Sequence, residues 1–170
     1  MKFPSTTVQS RFDSPLGPML AAASEQGLCG LWFAEGQRHL PDMSGWPVAQ
    51  QHPVLLHTQA FMQAYFEGDT SRFNLPLDLR GGTEFQQAVW QALLRIPSGA
   101  STTYGALSFG LGRPSAVRAV AGAVGRNPIS VIVPCHRVLG SDGSLTGYAG
   151  GLERKTALLQ LEATRQAVLL

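Results

Sequence analysis

A thiol and an imidazole stand side by side in the sequence, at Cys135 and His136, directly after an apolar run and a proline. An ordinary cysteine is only a few per cent thiolate at neutral pH, and a neighbouring base or cation raises that fraction. Residues 129–133 predict a buried strand or extended segment that ends at Pro134, where chemistry can be exposed. Neighbours on an extended segment point in opposite directions, so a water or a bend would couple the two side chains. A buried, inert cysteine beside a hydrogen-bonded histidine is the alternative.

The chain continues into a glycine-rich loop and then a helix with an acidic residue. Residues 140–151 contain five glycines, which let a backbone approach a ligand closely. The loop lacks the Lys-Ser/Thr pair of a phosphate-binding P-loop, so nucleotide hydrolysis is not indicated. Glu162 falls on the flank of an apolar helix face, where a carboxylate directed at the core needs a partner such as a histidine. A solvent-exposed Glu162 is the alternative.

Two short helices joined by a glycine turn are predicted ahead of this loop. Residues 83–86 fit a capping box, and an amphipathic helix continues from there until Pro97. A short helix from about Thr103, a turn at 110–112 and a second helix opened by Pro114 give the outline of a helix-turn-helix. Many helical hairpins share this outline, so the pattern alone does not identify a DNA-binding motif.

The second of these helices has one apolar face and one nearly bare face. The spacing i, i+3, i+4, i+7 predicts a buried stripe of Val117, Val120, Ala121 and Val124. The other side carries Ser115, Arg118, Ala119, Gly122 and Gly125. Reading base edges in the major groove requires long polar side chains, whereas a smooth face suits a shallow surface or a narrow groove. Packing of the small residues against another helix is the alternative.

The first half of the chain predicts a small α/β domain. Residues 12–33 predict short strands separated by Pro and Gly turns, and residues 54–68 predict a helix that stops at a glycine. Residues 74–82 predict an extended linker. We therefore expect an N-terminal domain in residues 1–80 and a second domain in residues 81–170.

Charge differs between the two halves. Residues 1–80 hold five Lys and Arg against seven Asp and Glu, whereas residues 81–170 hold eight against four. The basic second half is compatible with an anionic partner such as nucleic acid, and equally with a mildly basic surface that has no partner. No apolar run reaches the roughly 18 residues of a membrane span, and the N-terminus lacks a signal-peptide core. With two cysteines, we expect free thiols in a reducing, cytoplasmic compartment.

Three segments together resemble a known family. They are FQQAVWQALLRIPSGASTTYGAL, RPSAVRAVAGAVGRNP and NPISVIVPCHRVLGSDGSLTGYAGGLERKTALLQLE. Over about residues 83–162 the chain closely resembles the 6-O-alkylguanine-DNA alkyltransferases, and SPLGPMLAAASEQGL and AYFEGD match them loosely. The resemblance implies a ribonuclease-H-like α/β domain in 1–80. It also implies a mostly α, winged-helix-like helix-turn-helix domain in 81–170 that carries the active site.

The resemblance also implies a reaction. Cys135 would attack the alkyl carbon of 6-O-methylguanine, and of 4-O-methylthymine, in DNA. His136 would act as a base through a water, with Glu162 orienting its imidazole. Asn127 would brace the segment before the thiol, and Tyr104 would offer its hydroxyl to the guanine ring. No second nucleophile removes the alkyl group, so the protein would act once.

The implied partner is double-stranded alkylated DNA, bound through the minor groove with the damaged base flipped out. Arg118 would fill the gap left by that base, beside the other expected DNA-binding residues, Thr103, Ser115, Ala119 and Gly122. The base pocket would be lined by Val124, Val138, Gly147, Tyr148, Ala149, Gly150 and Lys155, with Lys155 supporting the loop. We expect a monomer, with no membrane association and no cofactor, because the damaged DNA is itself the alkyl donor. Cooperative binding along DNA is left open.

The sequence departs from the family in two places. Ser108, Phe109 and Gly110 stand where related chains usually have small, helix-favouring residues, so we expect a shortened first helix in the helix-turn-helix. Some relatives bind a structural zinc, but Cys29, His39, His52 and His57 do not reproduce that ligand set, so we expect no metal. Two other functions stay open, a non-catalytic binder of alkylguanine lesions and a cysteine hydrolase that uses Cys135 and His136.

Overall fold

The computed structural model describes residues 1–69 and 71–168. Contacts divide the chain into two compact units. The first comprises Met1–Gly82 with Pro128–Ser130, and the second comprises Thr83–Asn127 with Val131–Leu170. The first unit contains a three-stranded sheet, and the second is mainly helical.

The sheet of the first unit is antiparallel in the order β1-β2-β3. Its strands are β1 (Val8–Phe12), β2 (Met19–Ser24) and β3 (Gly27–Phe33). Every residue of β3 is buried, so the strand is a continuous apolar run without polar alternation. Gly30 is required there by close packing, because a Cβ at this position would lie 1.9 Å from the ring of Trp32.

Two other segments pair with β3. The Leu28 amide donates to Pro76 O at 3.0 Å, and the Asp78 amide donates to Leu28 O at 2.7 Å. Further along the strand, the Leu31 amide donates to Pro128 O and its carbonyl accepts from Ser130. The expected linker at 74–82 therefore takes part in pairing, because the buried N–H and C=O groups of an edge strand need partners.

The helix expected over 54–68 is α1 (Pro53–Glu67). The Val54 amide donates to the His52 ring, and Pro53 occupies the first turn, where a missing N–H costs nothing. Gly68 ends the helix in the left-handed conformation, with φ 111°. Leu55 and Met62 are buried on its inner face.

The second unit begins with α2 (Glu84–Leu93), which the expected capping box opens. The Gln86 amide donates to the Thr83 hydroxyl, and the Gln86 side chain accepts from the Thr83 amide. The helix ends four residues before Pro97, earlier than expected. The indole of Trp90 is buried and donates to Ala123 O at 2.8 Å, which joins α2 to the second helix of the helix-turn-helix.

The helix-turn-helix consists of α3 (Tyr104–Gly110) and α4 (Val117–Gly125). The expected start of α4 at Pro114 is wrong, because the Ala116 amide donates to Arg113 O and the intervening residues form a turn. Val117 is also not part of the buried stripe. It is 36% exposed at the first position of α4, and the buried residues are Val120, Ala123 and Val124.

Ser108, Phe109 and Gly110, which were expected to shorten the first helix of the helix-turn-helix, lie within α3, which has seven residues. Ser108 is buried, and its hydroxyl donates to Arg113 O. Phe109 is 76% exposed.

The strand expected over 129–133 is not formed. Ile129 makes a single bridge to β3, and residues 130–132 turn, with Val131 at φ 70°. A residue in the left-handed region cannot continue an extended strand. A 3₁₀ turn (Cys135–Arg137) follows and leads into β5 (Val138–Leu139), which pairs in parallel with β4 (Thr102–Thr103).

The last helix is α5 (Leu152–Val168). Across residues 1–69 and 71–168, no helix is long and apolar enough to cross a membrane. Within the same described residues, no three His, Cys, Asp or Glu side chains are grouped as metal ligands.

We expect Trp90→Phe to lower the free energy of unfolding by about 2 kcal/mol, because Ala123 O loses its indole donor and the smaller ring leaves space. Urea titration followed by circular dichroism measures the change. Phe109→Leu is the control, since this exposed ring should change stability by less than about 0.5 kcal/mol. Equal effects of the two substitutions would contradict the importance of the Trp90 contact.

Candidate active site

Cys135 lies in the 3₁₀ turn and is only 5% exposed, so the end of the segment at Pro134 does not expose the thiol. The Asn127 amide nitrogen donates to Cys135 Sγ at 3.1 Å and to Val133 O at 2.7 Å. This side chain therefore fixes the turn and contacts the sulfur at once. Burial raises the pKa of Cys135 above its ordinary value, and the Asn127 hydrogen bond and the Lys155 charge oppose that rise. The resting sulfur is protonated at neutral pH, and nucleophilic attack requires a base.

His136 supplies a base with a defined orientation. The ring is completely buried, and its Nε2 lies 2.8 Å from Glu162 Oε1. Burial lowers the pKa of His136, against the opposite effect of Glu162, so the imidazole is neutral. A carboxylate can only accept, which places the single ring proton on Nε2 and the lone pair on Nδ1. Within the described chain, Nδ1 has no hydrogen-bond partner.

The Glu162 carboxylate is 1% exposed and accepts hydrogen bonds from several donors. Arg137 donates through Nε to Oε2 at 2.9 Å and through Nη2 to Oε1 at 2.8 Å, and His136 donates to Oε1. The Gly99 amide adds a long contact of 3.5 Å to Oε2. Burial alone would raise the pKa of Glu162, but the hydrogen bonds from His136 and Arg137 hold it well below its ordinary value. The carboxylate is therefore ionised.

Arg137 was not among the predicted site residues. It is buried, and in addition to Glu162 it binds Ile96 O through Nη1 at 2.5 Å. The usable signal was its place beside His136, since a buried Glu162 requires a cation as well as an imidazole.

The glycine-rich loop is held by a buried lysine. Lys155 Nζ donates to Val138 O at 2.6 Å and to both Thr146 O and Gly147 O at 3.1 Å. Burial lowers the pKa of Lys155. The Tyr104 hydroxyl donates to the same Thr146 carbonyl at 3.2 Å, and burial raises its pKa. Thr146 thus joins α3, the loop and α5, a role that its residue type did not indicate.

The predicted residues form two hydrogen-bonded groups and one surface. The first group consists of the hydrogen-bonded pairs Asn127–Cys135 and His136–Glu162, which adjoin in the chain, and Tyr104, Lys155, Val138 and Gly147 meet around Thr146 in the second. The other expected pocket residues are buried (Val124, Tyr148, Gly150) or partly exposed (Ala149).

The expected DNA-binding residues lie on α4 and just before the two helices. Ser115, Arg118, Ala119 and Gly122 are exposed. The Thr103 hydroxyl accepts from the Ala106 amide and so serves as the N-cap of α3. None of these residues shares a hydrogen bond with the Cys135 group in the described chain.

Comparison with known proteins matches both halves of the chain. Residues 84–164 match the family model "6-O-methylguanine DNA methyltransferase, DNA binding domain", and residues 8–79 match "6-O-methylguanine DNA methyltransferase, ribonuclease-like domain". The chain is 47% identical over 156 residues to the methylated-DNA–protein-cysteine methyltransferase of Mycobacterium tuberculosis H37Rv, covering 90% of each chain. It is 43% identical to that of Methanosarcina acetivorans, covering 90% of this chain and 96% of the relative. The crystal structure of M. tuberculosis OGT in complex with DNA superposes with a TM-score of 0.83 at 44% identity, covering 92% and 93% of the two chains.

We expect Glu162→Gln to lower the free energy of unfolding by about 3 kcal/mol at pH 7, because it leaves the buried Arg137 guanidinium without its counter-ion. Since the folded-state pKa of Glu162 is depressed, its contribution is present above about pH 4.3 and is lost as pH falls further. The difference from wild type should therefore shrink in acid, as urea titrations at several pH values would measure. Glu153→Gln, at an exposed position of the same helix, is the control. A pH-independent difference would contradict the ionised state of Glu162.

Proposed function

Because the chain belongs to the 6-O-methylguanine DNA methyltransferase family, we propose that it repairs DNA by transferring the alkyl group of 6-O-methylguanine to Cys135, once per molecule. The observation that carries this proposal is a buried thiol followed, in the same 3₁₀ turn, by an oriented, neutral imidazole whose Nδ1 has no partner in the described residues. The family match extends over both halves of the chain. The same chemistry extends to 4-O-methylthymine.

The reaction begins with deprotonation of the buried thiol. A water between Cys135 Sγ and His136 Nδ1 carries the proton to the imidazole, and the ionised Glu162 stabilises the imidazolium that forms. The thiolate then attacks the alkyl carbon in line with its bond to guanine O6. The S–C bond forms while the C–O bond breaks, and guanine leaves with the electron pair. Asn127 holds the sulfur through its hydrogen bond.

Tyr104 assists the departure of guanine by donating its hydroxyl to the ring as negative charge develops there. In the free protein this hydroxyl donates to Thr146 O, so the base replaces one acceptor with another. Lys155 supports the pocket by holding the loop carbonyls. Val124, Val138, Tyr148, Ala149 and Gly150 complete the proposed pocket lining.

The alkylated protein is the end product. A thioether has a poor leaving group, and the only other cysteine of the sequence, Cys29, lies in β3 of the first unit. No organic cofactor or metal enters the reaction, because the damaged DNA supplies the alkyl group. The family model of the second half is a DNA-binding domain, and DNA is the substrate of the reaction.

The proposed DNA contact is the exposed face of α4, placed in the minor groove. Arg118 fills the gap left by the flipped base, whose extrusion costs a few kcal/mol. Ser115, Ala119 and Gly122 let the helix backbone come close, and Thr103 lies at the start of α3. The exposure of Arg118, Ala119 and Gly122 on α4, and of Ser115 just before it, supports this arrangement.

Several finer features belong to the same proposal. Residues 1–80 form a ribonuclease-H-like domain, and residues 81–170 form a winged-helix-like domain. The protein acts as a monomer in a reducing, cytoplasmic compartment.

We expect Cys135→Ser to reduce transfer of a radiolabelled methyl group from duplex 6-O-methylguanine to background, because a hydroxyl is a far weaker nucleophile than a thiolate. Binding of the same duplex should persist, since the hydroxyl fills a similar volume. Cys29→Ser should transfer normally and serves as the control. Labelling of the Cys135 variant would show that another residue is the nucleophile.

We expect Arg118→Ala to slow repair in duplex DNA about tenfold, while attack on the free base 6-O-methylguanine changes little, because only the duplex requires flipping. Single-turnover labelling with both substrates measures the two rates. If Arg118 instead contacts a phosphate, affinity for any duplex falls and the salt slope decreases by about one. Equal losses on duplex and free base would mean that Arg118 stabilises the fold.

A further inference from the structure

The charges around His136 raise a question that the Cys-His-Glu arrangement alone does not answer. A lone buried carboxylate beside an imidazole favours the ion pair, in which the imidazole already carries two protons. Such an imidazolium cannot accept the proton of a thiol. The base therefore needs Glu162 to be oriented and ionised, and an offset of part of the carboxylate charge adds to the burial that already disfavours the imidazolium.

Arg137 meets both requirements. Its guanidinium binds the two carboxylate oxygens of Glu162 through Nε and Nη2, a planar two-bond geometry that also fixes the plane of the carboxylate. Its Nη1 donates a hydrogen bond to Ile96 O, so the segment that follows α2 also fixes the position of the guanidinium. The cation and the carboxylate form a neutral pair next to His136.

We propose that Arg137 is a positioning residue for the alkyl transfer: it fixes the Glu162 carboxylate and offsets its charge, so that His136 stays a neutral base. The inference rests on the proposed function, since it assigns a role within the same site. It predicts that the guanidinium contributes to the reaction through the charge and the orientation of Glu162, without touching the substrate.

Burial is the largest influence that lowers the pKa of His136, and the charged groups near it act in both directions. Glu162, on α5, favours protonation of the imidazole, whereas Arg137, in the same turn as His136, and Lys155, on α5, oppose it. Cys135 precedes His136 in the turn, and Arg165 lies nearly one turn beyond Glu162 on α5. Of the two cations that oppose protonation, Arg137 is the one bound to the carboxylate that His136 uses.

The test compares Arg137→Gln with Arg137→Lys, with Arg95→Gln as a control that removes an exposed arginine of the same unit. Two measurements are made on the full chain. The first is the pH dependence of single-turnover labelling from duplex 6-O-methylguanine. The second is the titration of His136 by ¹⁵N NMR in a Cys135→Ser background, which requires no alkyl transfer.

We expect Arg137→Gln to raise the pKa of His136 by about one unit, because the unbalanced carboxylate then favours the imidazolium. The acid limb of the pH–rate profile should shift to higher pH by the same amount. Transfer at pH values on that limb is then slowed by up to about tenfold. Arg137→Lys keeps the positive charge, so the acid limb of its pH–rate profile should stay near that of wild type. Because this variant loses the two-bond geometry to Glu162, the plateau rate of transfer should fall severalfold. Arg95→Gln should match wild type in both measurements.

The outcomes separate the two proposals. An unchanged His136 titration in a folded Arg137→Gln variant, or a full plateau rate in Arg137→Lys, would overturn the role of Arg137. If Arg137→Gln does not fold, the titration of His136 without any change at Arg137 still tests the proposal. An imidazolium at pH 7, in place of a neutral ring protonated on Nε2, would overturn the role of Arg137. If wild type takes up no label while the titration responds as expected, the proposed function fails and the charge balance stands.

Discussion

A buried carboxylate needs hydrogen-bond donors from its surroundings, and the second unit of this protein supplies them to Glu162. The donors come from the 3₁₀ turn and from the segment that follows α2, while Glu162 itself lies on α5. Because burying an unpaired charge costs several kcal/mol, these contacts help to hold the three elements together. The same set of contacts orients the imidazole and leaves its Nδ1 lone pair available. Stability and reactivity therefore depend on one cluster.

The thiol illustrates how burial serves reactivity in this arrangement. Desolvation keeps Cys135 protonated at rest, which protects it from adventitious electrophiles and oxidants, since these react with the thiolate. Activation then requires a base and an oriented substrate at the same time. The Asn127 hydrogen bond and the Lys155 charge lower the cost of forming the thiolate without removing the barrier to it. This suits a protein that can react only once.

Local signals in the sequence predicted the helices well, and long-range constraints explain the differences. The capping box at Thr83 and the glycine stop at Gly68 lie where the helices begin and end. The strand expected at 129–133 failed because Val131 adopts a left-handed φ, which an apolar residue type does not reveal. The start of α4 was placed too early because the turn before it, and not the helix, contains Pro114.

The active site shows the same division between features that local signals predict and features that depend on long-range contacts. A partner for Glu162 could be inferred from chemistry alone, because a carboxylate directed at a core must be paired. Arg137 was harder to identify, because most arginines are on the surface and its place beside His136 was a weak signal; the fold brings it to a carboxylate 25 residues away. The role of Thr146 is a property of its backbone carbonyl, which every residue type has.

The shared carbonyl of Thr146 also affects how the protein meets a base. It accepts from both Tyr104 and Lys155, so in the proposed reaction, where the Tyr104 hydroxyl would turn to a bound guanine, the carbonyl would retain the ammonium as a donor. The carbonyl would therefore keep a donor throughout this exchange, and the exchange itself would not require the loop to rearrange. The conformational entropy of the pocket wall is lost during folding, before any encounter with DNA. If the proposed function holds, recognition of the base would then resemble the docking of a rigid surface.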